Sequence, residues 1–324
     1  MSDRFTLDSH LPEDYLATAL AADVRAGLGA TPKTLPPKWF YDERGSELFD
    51  QITELPEYYP TRTERELLRT HSGDVAVACP ADTLVELGSG SSEKTRLLLD
   101  ALDKAGTLRR YVPVDVSPGA LIPASEALLA DYRELEVHGL IADFEKHLDH
   151  LPDADRRIIA FLGGTIGNLT PAQRADFLSG IRAGMGPADS FLLGTGLVID
   201  PAILVPAYDD AAGVTAEFNK NVLHVINRDL SADFDIDSFE HVAVWDSVNE
   251  WIEMRLRSRT DQQVRIADLD LSLTIAAGEE IRTEISAKFQ RAGIEAELAA
   301  AGFTVTHWWT DPDQRFALSL SEPA

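Results

Sequence analysis

Cysteine is almost absent from this 324-residue chain, Cys79 being the only one. No disulfide can form within the chain, and no cysteine cluster can hold a metal. Basic residues are scarce beside acidic ones, 29 against 54, giving a formal charge of −25. A field of that sign repels phosphate backbones and acidic lipid, which argues against nucleic acid and membranes as partners. No apolar run approaches the roughly 20 residues a membrane helix needs. The N-terminal MSDRFTLDSHLPEDYLATAL lacks a basic start followed by an apolar stretch, so no leader is expected. The histidines show no H-E-x-x-H spacing; His147 and His150 stand three apart without a third ligand, and no metal is expected. A G-x-S-x-G turn is missing too, which disfavours a hydrolase elbow. Repeats and low-complexity tracts are not found. These absences lead to the expectation of a soluble cytoplasmic protein, monomeric for want of any heptad or exposed-strand signal.

What is present has the balance of a globular protein, 44% hydrophobic and 26% charged. Residues 11–29 read as a helix ending near Gly29. Pro32, Pro36 and Pro37 then stiffen the chain ahead of Trp39, Phe40, Tyr41, Phe49, Tyr58 and Tyr59, which read equally as packing or as the aromatic wall of a pocket. From residue 83 the pattern alternates: TLVEL, YVPVDVS, LEVHGLIADF, RRIIAFL and DSFLLGTG read as strands, separated by segments of helical spacing. That order predicts an α/β fold, a doubly wound, mostly parallel sheet covered on both faces. GIEAELAAAGF adds a helix, and THWWT and FALSLSE, joined by the turn signal DPDQ, add a late hairpin. WIEMRLRS places Ile252, Met254 and Leu256 on one face, and LDLSLTI places Leu269, Leu271 and Leu273 on one face, as antiparallel strands would. The expected organisation is an N-terminal helical lid segment (1–62), a cofactor-binding core (63–195), an inserted, smaller α+β substrate domain (196–288), and a C-terminal helix and hairpin completing the core sheet (289–324).

The segment Val85-Glu86-Leu87-Gly88-Ser89-Gly90-Ser91-Ser92 is a glycine-rich turn between strand and helix, where backbone can approach a ligand closely. A dinucleotide fingerprint would need glycine or alanine at 93, where this chain has Glu93, and a carboxylate there repels a pyrophosphate. Glu86 is a second acid beside the turn. S-adenosylmethionine carries a sulfonium and no phosphate, so it tolerates both acids, and we favour it over NAD. Asp115, at the end of the next strand, suits the two hydroxyls of a ribose. Asp143 can accept from an adenine amino group, with Phe144 beside the ring; a helix cap is the plain alternative for either acid. Gly163-Gly164-Thr165-Ile166-Gly167-Asn168 leaves space at the cofactor's reactive end, with Asn168 as donor and acceptor, though an asparagine in a turn needs no ligand to explain it.

Longer segments carry a resemblance. LPPKWFYD (35–42), GSELFDQITELPEYYPTRTE (45–64), TLVELGSGSSEKTRLLLDAL (83–102), FLGGTIGNLTP (161–171), AYDDAAGVTAEFNKNVL (207–223) and HWWTDP (307–312) resemble the bacterial histidine Nα-methyltransferases of ergothioneine biosynthesis. Those enzymes convert L-histidine to its trimethylated betaine, hercynine. The resemblance implies S-adenosyl-L-methionine as methyl donor, no metal, and L-histidine as the small-molecule partner. It implies Gly88, Lys94, Asp115, Asp143 and Phe144 at the cofactor. It implies a sheet of the class I methyltransferase type. It implies Tyr58, Asn168 and Tyr208 at the histidine backbone and imidazole, Glu284 and Ser286 as the pair that hydrogen-bonds the imidazole, Met254 along the side chain, and Tyr41 and Phe49 around the amine. No dedicated catalytic base is expected; Tyr41 and Asn168 would position the amine. The family's GTDLVKD stands here as GTGLVID, with Gly196 and Ile199 replacing an acid and a lysine; Gly164 and Ala287 also depart from it. The alternative within the class is an N-methyltransferase for another aromatic amino acid or amine.

Overall fold

The structure, a computed structural model, describes residues 4–90 and 92–324. Met1, Ser2, Asp3 and Ser91, the last a member of the glycine-rich turn as read from the sequence, lie outside the described residues. In chain order the elements are β1 (Phe5–Ser9), α1 (Tyr15–Gly29), β2 (Lys33–Thr34), α2 (Glu43–Glu54), α3 (Tyr59–Ala78), β3 (Thr83–Leu87), α4 (Arg96–Lys104), β4 (Arg110–Asp115), α5 (Pro118–Asp131), β5 (Glu136–Ile141), β6 (Arg157–Phe161), α6 (Pro171–Ala183), β7 (Ser190–Gly196), α7 (Pro201–Leu204), α8 (Val214–Asp229), β8 (Phe239–Asp246), β9 (Trp251–Ser258), β10 (Gln262–Ile266), β11 (Leu271–Ile275), β12 (Glu280–Ala287), α9 (Arg291–Ala300), β13 (Phe303–Thr310) and β14 (Phe316–Pro323). The chain divides into two units: Met1–Pro12, Thr63–Leu197 and Phe289–Ala324 form the first, and Glu13–Arg62 with Val198–Lys288 the second.

The first unit is built on a sheet in the order β1-β5-β4-β3-β6-β7-β14-β13. The pairings from β1 to β7 are parallel, and β14 runs antiparallel to both β7 and β13. Every residue of β3, β6 and β7 is buried, as a strand covered on both faces requires, and this is why IIAFL and FLLG read as apolar runs without alternation. Leu98, Leu99 and Leu102 of α4 pack with Leu84, Ile158, Leu192, Leu318 and Leu320 in one core. The helix begins at Arg96: Thr95 precedes it, and its hydroxyl is bonded to Glu86, so it makes no side-chain cap. α6 opens on a reciprocal Thr170–Gln173 capping box followed by Pro171. The late hairpin turns on Asp311, whose Oδ1 accepts from the backbone N–H groups of Arg315 (2.7 Å) and Phe316 (2.8 Å).

The second unit has a sheet in the order β2-β12-β9-β8, a β10–β11 hairpin, and helices α1, α2 and α8 around one core. The N-terminal stretch 1–62 is therefore not one helical lid. β1 adds a parallel strand to the first unit's sheet, while Leu20, Val24, Leu28, Phe40 and Ile52 share the core of Phe218, Val222, Ile252 and Met254. Leu269 is also displaced from the expected strand. It ends a single 3-10 turn, and Asp270, in left-handed backbone at φ 46°, separates it from β11.

Candidate functional site

In the first unit the strand order reverses between β3 and β6, and in such a sheet ligands bind at the carboxyl ends of the strands flanking that point. Gly88, Asp115, Asp143, Phe144 and Asn168 lie at or beyond the carboxyl ends of β3, β4, β5 and β6, and Lys94 precedes α4. Gly88, directly after β3, has left-handed backbone (φ 68°), and a Cβ there would meet Phe144 Cε1 at 3.5 Å. Asp115 ends β4; its Oδ2 accepts from the Gly90 N–H (3.0 Å) and its Oδ1 from the Ser117 N–H (2.9 Å). Each oxygen keeps a lone pair for a further donor. Burial pushes the Asp115 carboxyl up, against the opposing pull of these backbone donors. Asp143 is buried and accepts the Glu145 N–H at 2.9 Å, with Lys146 3.7 Å away. Phe144 packs edge-on to Phe161 (5.2 Å between centroids). The hydroxyl of Ser89 is buried with no hydrogen-bond partner among the described residues. A glycine turn, a carboxylate with spare acceptor capacity, an aromatic edge and an unsatisfied hydroxyl suit a nucleoside. Asn168, half-buried, closes the 3-10 turn Thr165–Asn168 after β6.

Lys94 does not stand over the turn as an isolated charge. It pairs with Glu64, which is fully buried and whose Oε1 also accepts the Gly163 N–H at 2.6 Å. Glu64 passes so close to β7 that a Cβ on Gly194 would lie 2.3 Å from its Oε1. Glu86 is likewise engaged: its Oε2 accepts from Thr95 Oγ1 and Tyr111 OH, each at 2.5 Å. Burial raises its pKa from 4.5 to about 7, against the pull of those two donors and Lys94. The fold thus holds the protonated form, a stabilisation present below the ordinary pKa of 4.5 and lost as pH rises through about 7. Glu86→Gln keeps an oxygen for both donors. Wild type is expected to lose up to about 3 kcal/mol relative to this variant between pH 4 and pH 8, read as diverging melting curves; parallel curves would contradict the raised pKa.

In the second unit the aromatic residues form a continuous chain. Tyr41 packs edge-on to Phe49 (5.5 Å between centroids) and Phe218 (5.3 Å); Phe49 meets Tyr58 (6.1 Å), and Tyr58 meets Tyr208 (6.3 Å). Phe218, on α8, is a member that sequence reading did not single out. Desolvation raises the pKa of Tyr58 and Tyr208, and the Glu284 charge adds to it in each case; Tyr41 is half exposed. Tyr58 and Tyr208 are therefore neutral phenols, donors as well as acceptors, grouped about one carboxylate.

A β-bulge places that carboxylate. Ile281 pairs with Leu256 and Arg282 with Arg255, but Glu284 then pairs with Met254 and Ser286 with Ile252. The additional residue, Thr283, turns the rest of β12 over. Glu280 and Arg282 lie on the face where Arg255 and Glu253 form ion pairs with them. Glu284 and Ser286 are transferred to the face of Ile252 and Met254, the side of the apolar core. Met254, 1% exposed, is a core residue beside Glu284. Ser286 Oγ lies 2.8 Å from Tyr208 OH. The position of Tyr208 is set through its carbonyl, which lies 2.7 Å from Nε2 of His241. Asn219 Nδ2, 2.8 Å from the other ring nitrogen, requires that nitrogen to accept, so His241 is the neutral tautomer with N–H toward Tyr208. Lys288, which sequence reading passed over, completes the group at 2.7 Å from Tyr208 OH and 2.8 Å from Ser286 Oγ. The available signal was its spacing, two residues beyond Ser286 and four beyond Glu284.

No group of three or more His, Cys, Asp or Glu side chains among the described residues could hold a metal ion, and no described helix is long and apolar enough to cross a membrane.

From β5 onward the first unit's sheet has the order, and the single reversed strand, of the class I S-adenosylmethionine-dependent methyltransferases. Residues 20–323 match the family model described as histidine-specific methyltransferase, SAM-dependent, and the chain belongs to that family. It is 60% identical over 316 residues to a histidine N-alpha-methyltransferase of Mycolicibacterium smegmatis, covering 98% of each chain. It is 57% identical over 318 residues to one of Mycobacterium tuberculosis, covering 98% of this chain and 99% of that one. It is also 31% identical over 286 residues to ergothioneine biosynthesis protein 1 of Neurospora crassa, covering 86% of this chain and 32% of that protein.

Proposed function

We propose that the protein transfers three methyl groups in succession to the α-amino nitrogen of L-histidine, forming hercynine as a step of ergothioneine biosynthesis. The observation that carries this reading is the 60% identity to a histidine N-alpha-methyltransferase across 98% of both chains. S-adenosylmethionine, when bound, supplies a methyl group already activated by a sulfonium.

The protein's contribution is then position and dehydration, and orientation of reacting groups can supply about 7–11 kcal/mol. In the first unit, Asp115 accepts from ribose hydroxyls, Asp143 from the adenine amino group, and Phe144 lines the ring, beside the open backbone at Gly88. Lys94 keeps the Glu64 carboxylate neutralised next to Gly163, and Asn168 offers an uncharged amide to the amino acid. In the second unit, Tyr58 and Tyr208 donate to the histidine backbone, Glu284 and Ser286 bond the imidazole, and Met254 lines the side chain. The α-amine attacks as the free base. Its proton leaves to water past Tyr41, which is half exposed to solvent. The rings of Tyr41, Phe49 and Tyr58 favour the ammonium that forms, by about 0.5–2 kcal/mol each. The enzyme works as a cytoplasmic monomer without a metal.

The test is to incubate the protein with S-adenosylmethionine and a panel of amino acids and amines, with mass detection. Histidine should gain three methyl groups. Methylation of tryptophan or tyrosine in its place would replace histidine as substrate, and no methylated product would refute the reading.

A further inference from the structure

Asn219 on α8 and Thr283 in the β12 bulge are polar side chains, each 0% exposed. A bulge interrupts a strand ladder, and two carbonyls of β9 beside this one accept from side chains. Asn219 Nδ2 lies 3.1 Å from the Arg255 carbonyl, and Thr283 Oγ1 lies 3.0 Å from that of Met254. A carbonyl can only accept, so Asn219 must direct its NH₂ toward Arg255 and its oxygen away from it. That oxygen accepts from Thr283 Oγ1 at 2.5 Å, the one hydroxyl proton being shared between it and the Met254 carbonyl. The second proton of Nδ2 faces His241 Nδ1 at 2.8 Å, so that nitrogen carries no proton. The ring proton of His241 is then on Nε2 and is donated to the Tyr208 carbonyl at 2.7 Å. Starting from the Arg255 carbonyl, each bond fixes the direction of the next.

We propose that Asn219 is a positioning residue that ties the bulge delivering Glu284 and Ser286 to the backbone of Tyr208, with His241 as the link. The inference rests on the histidine reading and deepens it: it assigns what holds the amino-acid groups of β12 and of the 207–223 segment in one geometry. Asn219 cannot turn over to serve a protonated ring, because its oxygen would then face the Arg255 carbonyl. Burial lowers the pKa of His241, in keeping with a neutral ring; its bond to the Tyr208 carbonyl and the charges of Asp209 and Asp210 act the other way, and Lys220 acts with burial. A buried relay of this kind leaves a donor or an acceptor unpaired wherever it is cut, and that cost falls on the geometry of the site.

Steady-state kinetics with S-adenosylmethionine and histidine, beside calorimetry of S-adenosylhomocysteine, test this on the full chain. Asn219→Ala should raise KM for histidine by roughly 10- to 100-fold, the worth of a buried hydrogen-bonding group left unpaired. Turnover at saturating histidine and affinity for S-adenosylhomocysteine should stay close to wild type. An unchanged KM would overturn the proposal, and so would a loss of S-adenosylhomocysteine affinity in step with KM, which marks general damage to the fold. His241→Ala should raise KM in the same way. His241→Gln, which keeps an N–H for the Tyr208 carbonyl, should recover part of that loss; a glutamine no better than alanine overturns the link, and this pair decides the matter if Asn219→Ala does not fold. Thr283→Val should raise KM in the wild-type background and cost much less in Asn219→Ala; equal costs in both backgrounds overturn the proposal. Wild type that methylates histidine while these variants match it overturns this inference alone. Wild type that neither binds nor methylates histidine overturns the substrate reading and this inference with it.

Discussion

Glu284→Ala is expected to reduce kcat/KM for histidine by about 100-fold or more, with most of the loss in KM. The carboxylate is held where its charge reaches Tyr41, Tyr58, Tyr208 and Lys288. A hydrogen bond from an imidazole N–H to a carboxylate is worth about 1.5–3 kcal/mol, and its loss also leaves the ring's donor unpaired inside the site. Sites that bond a substrate's polar group reject analogues lacking it by up to about 10⁴–10⁵. Selectivity over phenylalanine should accordingly collapse in the variant, while affinity for S-adenosylmethionine stays the same. Glu284→Gln, which keeps an acceptor without the charge, should fall between alanine and wild type. Steady-state kinetics at low histidine decides the matter: wild-type turnover by Glu284→Ala would remove this residue from imidazole recognition.

Asp189→Ala is expected to be the most destabilising single change outside the site. Asp189 and Arg157 are each 4% exposed in their side chains. The carboxylate accepts from Arg157 Nε (3.0 Å), Nη2 (2.6 Å) and backbone N (2.8 Å), and from the Gly186 N–H (2.8 Å). It thereby joins the start of β6 to the turn ahead of β7. Removing one partner leaves a buried guanidinium uncompensated, at a cost of about 3–5 kcal/mol. For a unit of this size the melting temperature should fall by roughly 10 °C. Replacing both residues with apolar ones of similar volume should recover much of the loss, because the penalty belongs to the orphaned charge. A fall of only a degree or two on Asp189→Ala would mean that water reaches Arg157.

Much of the first unit could be read in advance. β3, β6 and β7 are buried on both faces, so their apolar runs stand out, and the acids that end β4 and follow β5 fall where a parallel sheet presents ligand groups. β1 escaped notice because FTLDS is mostly exposed and only its first residue is buried. β8 escaped notice because seven of its eight residues are only partly buried and leave no sharp alternation. The residues at the strand ends were legible by position, but the partners of Lys94 and Glu86 were not, since Glu64 and Tyr111 are 30 and 25 residues away from them in the chain.

The chain's own order of apolar and polar residues determined the parallel sheet, because burial on two faces or one leaves a local period in the sequence. It determined the glycine turn as well, since that conformation is a property of a few adjacent residues. The direction of Glu284 and Ser286 was decided only in three dimensions. Glu280, Arg282, Glu284 and Ser286 alternate as if they shared one polar face, and the bulge at Thr283 divides them between two. The Tyr208–Ser286–Lys288 triangle depends on that division, joining residues 78 and 80 positions apart. A one-residue change of register reverses every side chain that follows it, and what fixes register is pairing with β9, a strand whose place beside β12 is established only when the chain folds.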